Sequence, residues 1–119
     1  MTRSDLPQFR LLAKNSGIDY SGHALRQMLK RGISLDLVEE ILKSESNQLI
    51  ETQSPSLTPG KEHADERVLI FDPKSSSDVI VICAITFTPI PQISVVTAEH
   101  AVDEKWNRVS GDPALIRKP

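Results

Sequence analysis

The chain has 119 residues, of which 39% are hydrophobic and 25% are charged, and its formal net charge is −2. These values are typical of one soluble globular domain, which is predicted to span residues 1–119. The small negative charge argues against a general polyanion binder, and the sequence lacks an apolar run of the roughly 20 residues that span a bilayer. A single cysteine excludes an internal disulfide, and with the lack of a signal-peptide core it favours the cytoplasm.

Basic residues are concentrated at the start of the chain. Residues 1–33 contain six lysines and arginines against two acidic residues, whereas the remaining residues contain eight against fourteen. The basic end could contact a phosphate backbone, while the acidic remainder would keep the domain soluble. A solvated helix surface would produce the same pattern.

Helices are predicted in the first third of the chain. A short one is expected over Asp5–Lys14. Ser21 and Gly32 are residue types that begin and end helices, and they predict a second helix over Gly22–Arg31. Ser34 is expected to cap the start of a third helix. The residues expected on its buried side are Leu35, Val38, Ile41 and Leu42.

The second helix is predicted to be amphipathic. On a wheel of about 100° per residue, one side is apolar and is expected to be buried, and the other side is strongly basic. The apolar side contains Ala24, Leu25, Met28 and Leu29. The other side contains His23, Arg26, Gln27, Lys30 and Arg31.

The hydrophobic period changes from helical to strand-like near Asn47. Strands are predicted over Asn47–Thr52, Arg67–Phe71 and Asp78–Thr88, and a last strand begins at Ile93. Because Val79–Ile85 is apolar on both faces, it is expected at the centre of the sheet. The predicted fold is therefore α+β, with N-terminal helices packed on a four-stranded, mainly antiparallel sheet.

The end of the chain is predicted to be less regular. The strand that begins at Ile93 leads into a helix-like piece that ends at Trp106, and residues 110–119 are expected to form a loose tail. The residues predicted to be largely buried are Leu25, Met28, Leu29, Val38, Ile41, Leu42, Val68, Ile70, Ile80, Ile82, Val95 and Trp106.

Several short motifs resemble known families. Residues 22–34, Gly-His-Ala-Leu-Arg-Gln-Met-Leu-Lys-Arg-Gly-Ile-Ser, are similar to the opening of a small bacterial domain family of unassigned function. Residues 30–34, Glu66-Arg67 and residues 97–106 resemble the BrnT toxins, which are ribonucleases of the RelE/ParE-like fold. The resemblance covers about residues 20–106. It implies a RelE-like fold, metal-independent cleavage of RNA and a cognate antitoxin as partner.

The resemblance also implies roles for particular residues. It places Lys30, Glu66 and Glu99 at positions that would contact the substrate. The chain departs from the pattern at Glu99 and His100, which stand where BrnT-like chains carry two arginines.

Cleavage of RNA through its 2′-hydroxyl needs a base, an acid and cations on the phosphate. His23 and His100 could exchange protons near neutral pH. Arg26, Arg31 and Arg67 could hold the phosphate with donors that keep their charge. These five residues are the candidate catalytic residues, and one solvent-open cleft is expected to contain them. The simpler alternatives are that His23 bonds a backbone carbonyl and that Arg67 is a surface residue.

A metal site would need three or four ligands close together. His23, His63 and His100 are scattered, His63 is expected on an exposed polar loop, and Cys83 lies in an apolar strand. No metal or cofactor is therefore predicted.

Two classes of function remain open. The leading hypothesis is a toxin-like ribonuclease that is silenced by an antitoxin. The alternative is a non-catalytic member of the same fold that binds a protein, as an antitoxin or immunity partner would. A homodimer is also left open, and no membrane partner is expected.

Overall fold

The computed structural model describes residues 1–60, 65–86 and 90–119. The described chain has an α+β fold in which a short 3₁₀ turn, Arg3–Asp5, precedes three α-helices and seven β-strands. The helices are α1 (Leu6–Asn15), α2 (Gly22–Arg31) and α3 (Leu35–Lys43). The strands are β1 (Ile18–Tyr20), β2 (Gln48–Gln53), β3 (Arg67–Phe71), β4 (Val79–Thr86), β5 (Gln92–His100), β6 (Trp106–Arg108) and β7 (Leu115–Arg117). His63 and the predicted strand end at Thr88 lie outside the described residues.

The residues predicted to begin α2 and α3, and the residue predicted to end α2, are confirmed. The Ser21 hydroxyl accepts a hydrogen bond from the Ala24 amide at 3.0 Å, and Ser34 does the same for the Leu37 amide at 3.1 Å. Gly32 ends α2 with φ 67°, a left-handed conformation that favours glycine. These local signals fix where α2 begins and ends, and therefore where its basic residues lie.

The main sheet has five strands in the order β1-β5-β4-β3-β2. β1 runs parallel to β5, with Ile18 opposite Ile93, and the other three pairs are antiparallel. The predicted four-stranded antiparallel sheet is thus corrected to a five-stranded mixed sheet. The sequence missed β1 because three residues are too few to show an alternating pattern.

The prediction that Val79–Ile85 forms an interior strand is confirmed, because β4 pairs with β3 on one side and β5 on the other. Successive residues of a strand point to opposite faces, so β4 contributes to two cores. Val79, Val81 and Cys83 join the helix-side core, which contacts the three helices. Ile80 joins a smaller core on the other face, which we call the hairpin-side core because it also contains residues of the hairpin that β6 and β7 form. The other buried members of the hairpin-side core are Leu69, Phe71, Ala101, Trp106 and Leu115.

The last residues of the chain are not a loose tail. β7 pairs with β6, and Leu115 is buried in the hairpin-side core. Trp106 is buried as predicted, but it begins β6, and a turn replaces the helix-like piece expected before it. We refer to β6, β7 and the residues between them as the C-terminal hairpin. Its pairing joins residues about ten positions apart, which a pattern in the local sequence does not indicate.

The orientation of α2 also differs from the prediction. α2 packs against β5, and its buried residues are Ala24 and Met28, whereas Leu25 and Leu29 are exposed. On the helical wheel, the covered side is turned by roughly 80° from the predicted one, so that it includes Arg31. This orientation arises because α2 lies beside the part of β5 that is not paired with β1. There a polar side chain of α2 can donate hydrogen bonds to acceptors on β5. Of the other residues predicted to be buried, Ile82 is only partly buried and Leu35 is 46% exposed.

The helices of the described residues are too short, or too polar, to cross a membrane.

Candidate functional site

The solvent-facing side of α2 forms one continuous surface, which we call the outer face of α2. It consists of His23, Leu25, Arg26, Leu29 and Lys30, all of which are exposed. Leu29 is 84% exposed and Leu25 is 44% exposed. On the wheel these residues cover an arc of about 160°, with the two leucines on one side and the three basic residues on the other. Basic and apolar groups therefore stand next to each other on the surface.

Two of the predicted catalytic residues meet at the end of α2. The Arg31 guanidinium donates hydrogen bonds to the Ala98 carbonyl at 2.7 Å and to the Thr97 hydroxyl at 3.1 Å. The His100 Nε2 lies 2.9 Å from the Arg31 carbonyl. Because a carbonyl only accepts, Nε2 carries the proton and donates it.

These contacts have a structural explanation. β1 pairs with β5 only as far as Val95, so the following residues of β5 lie at an open sheet edge next to α2. Arg31 donates a hydrogen bond to a backbone carbonyl of that edge. His100 donates a hydrogen bond to a backbone carbonyl at the end of α2, where the last carbonyl groups lack partners within the helix. Both side chains therefore fasten α2 to β5.

His23 lies far from this pair. It precedes Arg31 by eight residues on the same helix, which corresponds to about 12 Å along the helix axis. Since the His100 ring is bonded to the Arg31 carbonyl, His23 and His100 stand near opposite ends of α2. Two groups that serve one phosphate must each approach within hydrogen-bond distance, so these histidines do not form an acid–base pair.

Arg67 is remote from both histidines. It begins β3, and its register partners across the sheet are Ala84 and then Ser94. His100 follows Ser94 by six residues, or roughly 20 Å along the strand, and lies two strands away from Arg67. Successive side chains of a strand point to opposite faces of the sheet. Val68 belongs to the helix-side core, so the side chain of Arg67 lies on the other face, away from the helices.

The predicted substrate-contacting residues are also dispersed. Lys30 is on the outer face of α2. Glu99 is directly opposite Ile80 and shares its hairpin-side face. Glu66 precedes β3, where both of its oxygens accept hydrogen bonds from the α-ammonium of Met1 at 2.8 and 3.0 Å. The structure thus brings together Arg31 with His100, and His23 with Arg26 and Lys30, but it does not form one cleft from all eight residues.

The basic residues of α2 have no acidic partners among the described residues. Within the described parts of the chain, Arg26, Lys30 and Arg31 make no salt bridge, and residues 20–35 include no acidic residue. Most other basic residues are paired, as when Lys14 binds Glu45 at 2.9 Å. The outer face of α2 therefore carries positive charge that the protein itself does not neutralise.

A second charged cluster lies on the hairpin-side face, and the sequence did not indicate it. Arg117 binds Glu51 through two hydrogen bonds of 2.8 and 3.1 Å and lies 4.6 Å above the Trp106 ring. Burial would raise the pKa of Glu51, but hydrogen bonds from Arg117 and Gln53 outweigh it and lower the pKa. Glu51 and Arg117 are 66 residues apart, so only the folded chain reveals the pair.

Tyr20, which immediately precedes the cap of α2, has an unusual environment. Its hydroxyl is buried and has no hydrogen-bond partner among the described residues. Burial, with smaller contributions from Glu39, Cys83 and Asp36, raises the pKa of Tyr20 to about 12. The hydroxyl is therefore kept protonated and is not prepared for proton transfer near neutral pH.

The described residues contain no group of three or more histidine, cysteine or acidic side chains that could hold a metal ion. Cys83 is fully buried in β4, and this burial raises the pKa of its thiol. A buried, protonated thiol is a poor nucleophile.

Comparison with known proteins assigns a family. The sequence profile of a family described as Domain of unknown function (DUF4258) matches residues 20–100. The chain belongs to this family. The matched region runs from the end of β1 to the end of β5, so it includes the whole of α2 but neither α1 nor the C-terminal hairpin. No curated protein and no solved structure matches the chain.

Proposed function

We propose that this DUF4258 chain is a non-catalytic, protein-binding domain with a RelE-like arrangement of helices and sheet. The observation that carries the proposal is the outer face of α2, where unpaired basic residues adjoin exposed leucines. The occupant that fits this surface is an acidic protein segment with an apolar stripe. Its carboxylates would face Arg26 and Lys30, and its apolar side chains would cover Leu25 and Leu29.

The apolar half of this face favours protein over RNA. Covering an exposed leucine removes apolar surface from water, which favours association with another apolar surface. Single-stranded RNA is usually held by exposed aromatic side chains on which bases stack. In the described chain, Phe9, Phe71 and Trp106 are buried, so they offer no such platform.

The location of Arg31 and His100 also favours a binding role. Both side chains are engaged in fastening α2 to β5. A phosphate would have to displace those bonds before either residue could serve it. The partner would be a cognate antitoxin or immunity-type protein, and the single buried cysteine agrees with a reducing cytoplasmic setting.

A metal-independent ribonuclease is the second candidate, and one observation favours it. His23, Arg26 and Lys30 share the exposed basic side of α2, at relative positions i, i+3 and i+7. Side chains at this spacing lie near one another on a helix surface. In this candidate His23 would exchange the proton of the 2′-hydroxyl, while Arg26 and Lys30 would hold the phosphate.

One experiment separates the two candidates. Proteins encoded beside the gene of this chain are co-expressed with it, and the dissociation constant of any purified pair is measured. The wild type is compared with Leu29→Ala and with Arg26→Ala/Lys30→Ala. The control is Lys74→Ala/Lys105→Ala, which removes two exposed lysines that lie outside α2 and make no salt bridge with any residue that the structure describes.

The binding proposal predicts that each α2 variant weakens the complex about tenfold or more, whereas the control changes it less than threefold. Binding that is unaffected by the α2 variants would contradict the proposal. RNA is incubated with the same proteins. If the wild type cleaves RNA and His23→Ala loses about a hundredfold of that activity, the ribonuclease is the correct function.

A further inference from the structure

A pocket of about 870 Å³ lies on the side of the molecule that carries α1. It is bounded by α1, by the beginning of β3, and by Ile85 and Pro91 near the junction of β4 and β5. No residue of α2 lines it, so it is separate from the outer face of α2. Its volume lies in the range of pockets that enclose small organic ligands.

The inner part of the pocket is apolar. Phe9 and Val68 are almost fully buried members of the helix-side core, and Leu12 and Ile85 pack partly buried against the same core. Leu11 also lines the pocket and remains 52% exposed. A ligand with an aliphatic chain could therefore cover apolar surface that the protein leaves accessible to water.

The charged groups of the pocket are mainly acidic. Asp5, Asp65 and Glu66 line it, and its described lining contains no lysine, arginine or histidine. Asp5 accepts a hydrogen bond from the Thr2 amide at 2.7 Å through one of its oxygens. A carboxylate has about four acceptor sites, so Asp5 and Glu66 keep capacity for another donor.

The pocket already holds one ammonium group. The α-ammonium of Met1 donates to both oxygens of Glu66, while the Met1 side chain packs against the helix-side core and is only 4% exposed. The carboxylate of Glu66 therefore binds an ammonium group in this structure.

We propose that this pocket binds small aliphatic ammonium compounds. The aliphatic chain packs on Leu11, Leu12 and Ile85, and the ammonium is held by the carboxylates of the pocket. The combination of an apolar interior with an acidic lining selects such a compound over a fatty acid of the same length, whose carboxylate would be repelled. This inference is independent of the function proposed for α2, because the two surfaces share no residue.

The test uses n-octylammonium chloride as the probe, with sodium octanoate as the probe of opposite charge. Amide chemical shifts of the ¹⁵N-labelled protein are followed during titration at constant ionic strength. The expected result is saturable binding of octylammonium, with shifts at Leu11, Leu12 and Ile85 and none on α2. Because each added methylene contributes about 0.8 kcal/mol when it is buried, the affinity should rise roughly fourfold per methylene from butylammonium to octylammonium.

A matched pair of variants tests the charge preference. Gln8 is an exposed residue of the pocket wall, and Gln8→Lys places a cation there without changing the core. It should weaken octylammonium binding about tenfold and leave the melting temperature nearly unchanged. Asn107→Lys adds the same charge at an exposed position of β6, outside the pocket, and should leave the affinity within about twofold because distant surface charges are screened.

Three results would overturn the inference. They are the absence of saturable octylammonium binding, equal affinity for octanoate, and equal weakening by Gln8→Lys and Asn107→Lys. Loss of partner binding in α2 variants would not affect any of these measurements, so the two proposals fail separately.

Discussion

The outer face of α2 and the C-terminal hairpin both present basic residues, but the fold uses those residues differently. In the hairpin, Arg108 binds Asp78 and Asp103, and Arg117 binds Glu51 while stacking on Trp106. On α2, Arg26 and Lys30 face solvent, and neither has an acidic partner in the described part of the chain. The number of basic residues on a surface therefore does not identify it as a binding surface. What matters is whether the fold has already supplied their counter-charges.

Arg31 stands between these two cases. It belongs to the same basic segment as Lys30, yet its guanidinium is bonded to β5 as the hairpin arginines are bonded to their partners. Neighbouring basic residues of one helix can therefore have different roles.

Truncation of the hairpin anchor should destabilise the fold without removing the binding surface. Trp106→Ala removes a side chain that is 2% exposed in the hairpin-side core, and we expect a loss of about 3–5 kcal/mol in the free energy of unfolding. Chemical denaturation measures this loss. At a temperature where the variant is still folded, partner affinity should match the wild type. A loss below 1 kcal/mol would mean that the hairpin does not anchor the sheet.

Arg31 and Arg26 should respond differently to the same substitution. Arg31→Ala removes charge-assisted hydrogen bonds to Thr97 and Ala98, and we expect a loss of about 1.5–3 kcal/mol in the free energy of unfolding. Arg26→Ala should change it by about 0.5 kcal/mol or less, because it removes only a solvated side chain. Equal losses in the two variants would remove the distinction between structural and available basic residues on α2.

Deprotonation of Tyr20 should require strongly alkaline pH. The chain has one tyrosine, so absorbance at 295 nm reports this group alone. The pKa in the folded protein, about 12, is above the value of about 10 for an exposed tyrosine. A group whose pKa is raised by folding stabilises the fold at lower pH, so this contribution is complete below about pH 10 and is lost as the pH rises toward 12. A titration midpoint near 10 would show that the hydroxyl is accessible to water.

The smallest effect is expected at the pair of Glu51 and Arg117. Because folding lowers the pKa of Glu51, the pair stabilises the fold above the unfolded pKa of about 4.3, and the contribution is lost as the pH falls through the folded pKa. Both side chains are partly exposed, so solvent screening limits the contribution to about 0.5–1 kcal/mol. Glu51→Gln should cost this amount at pH 7 and nothing at pH 2.5. A cost that persists at acidic pH would show that packing, and not charge, explains the effect.

The predictions from the sequence succeeded where neighbouring residues determine the outcome. Ser21 and Gly32 predicted the ends of α2, and the apolar run in β4 predicted its central position, because caps and periodicity are local properties. The predictions failed where distant residues meet. β1 is identified only by its pairing with β5, and β7 only by its pairing with β6.

The candidate site illustrates the same limit. The sequence identified a basic helix, and the fold does present Arg26 and Lys30 to solvent. The prediction from the sequence placed Leu25 and Leu29 in the core. The reason is that a helical wheel shows which side of a helix is more apolar but not which side contacts the sheet. The acceptors on β5 that engage Arg31 lie 66 and 67 residues away, and no local pattern pointed to them.

The most direct test of the binding proposal is to map the partner on the ¹⁵N-labelled protein, using a partner purified by co-expression. Amide shifts and protection from hydrogen exchange are expected to concentrate on residues 22–31, and Arg26→Ala/Lys30→Ala should reduce them strongly at the same concentrations. Residues 106–117 should be unaffected. Changes that concentrate on the C-terminal hairpin or on the pocket beside α1, with α2 unchanged, would contradict it.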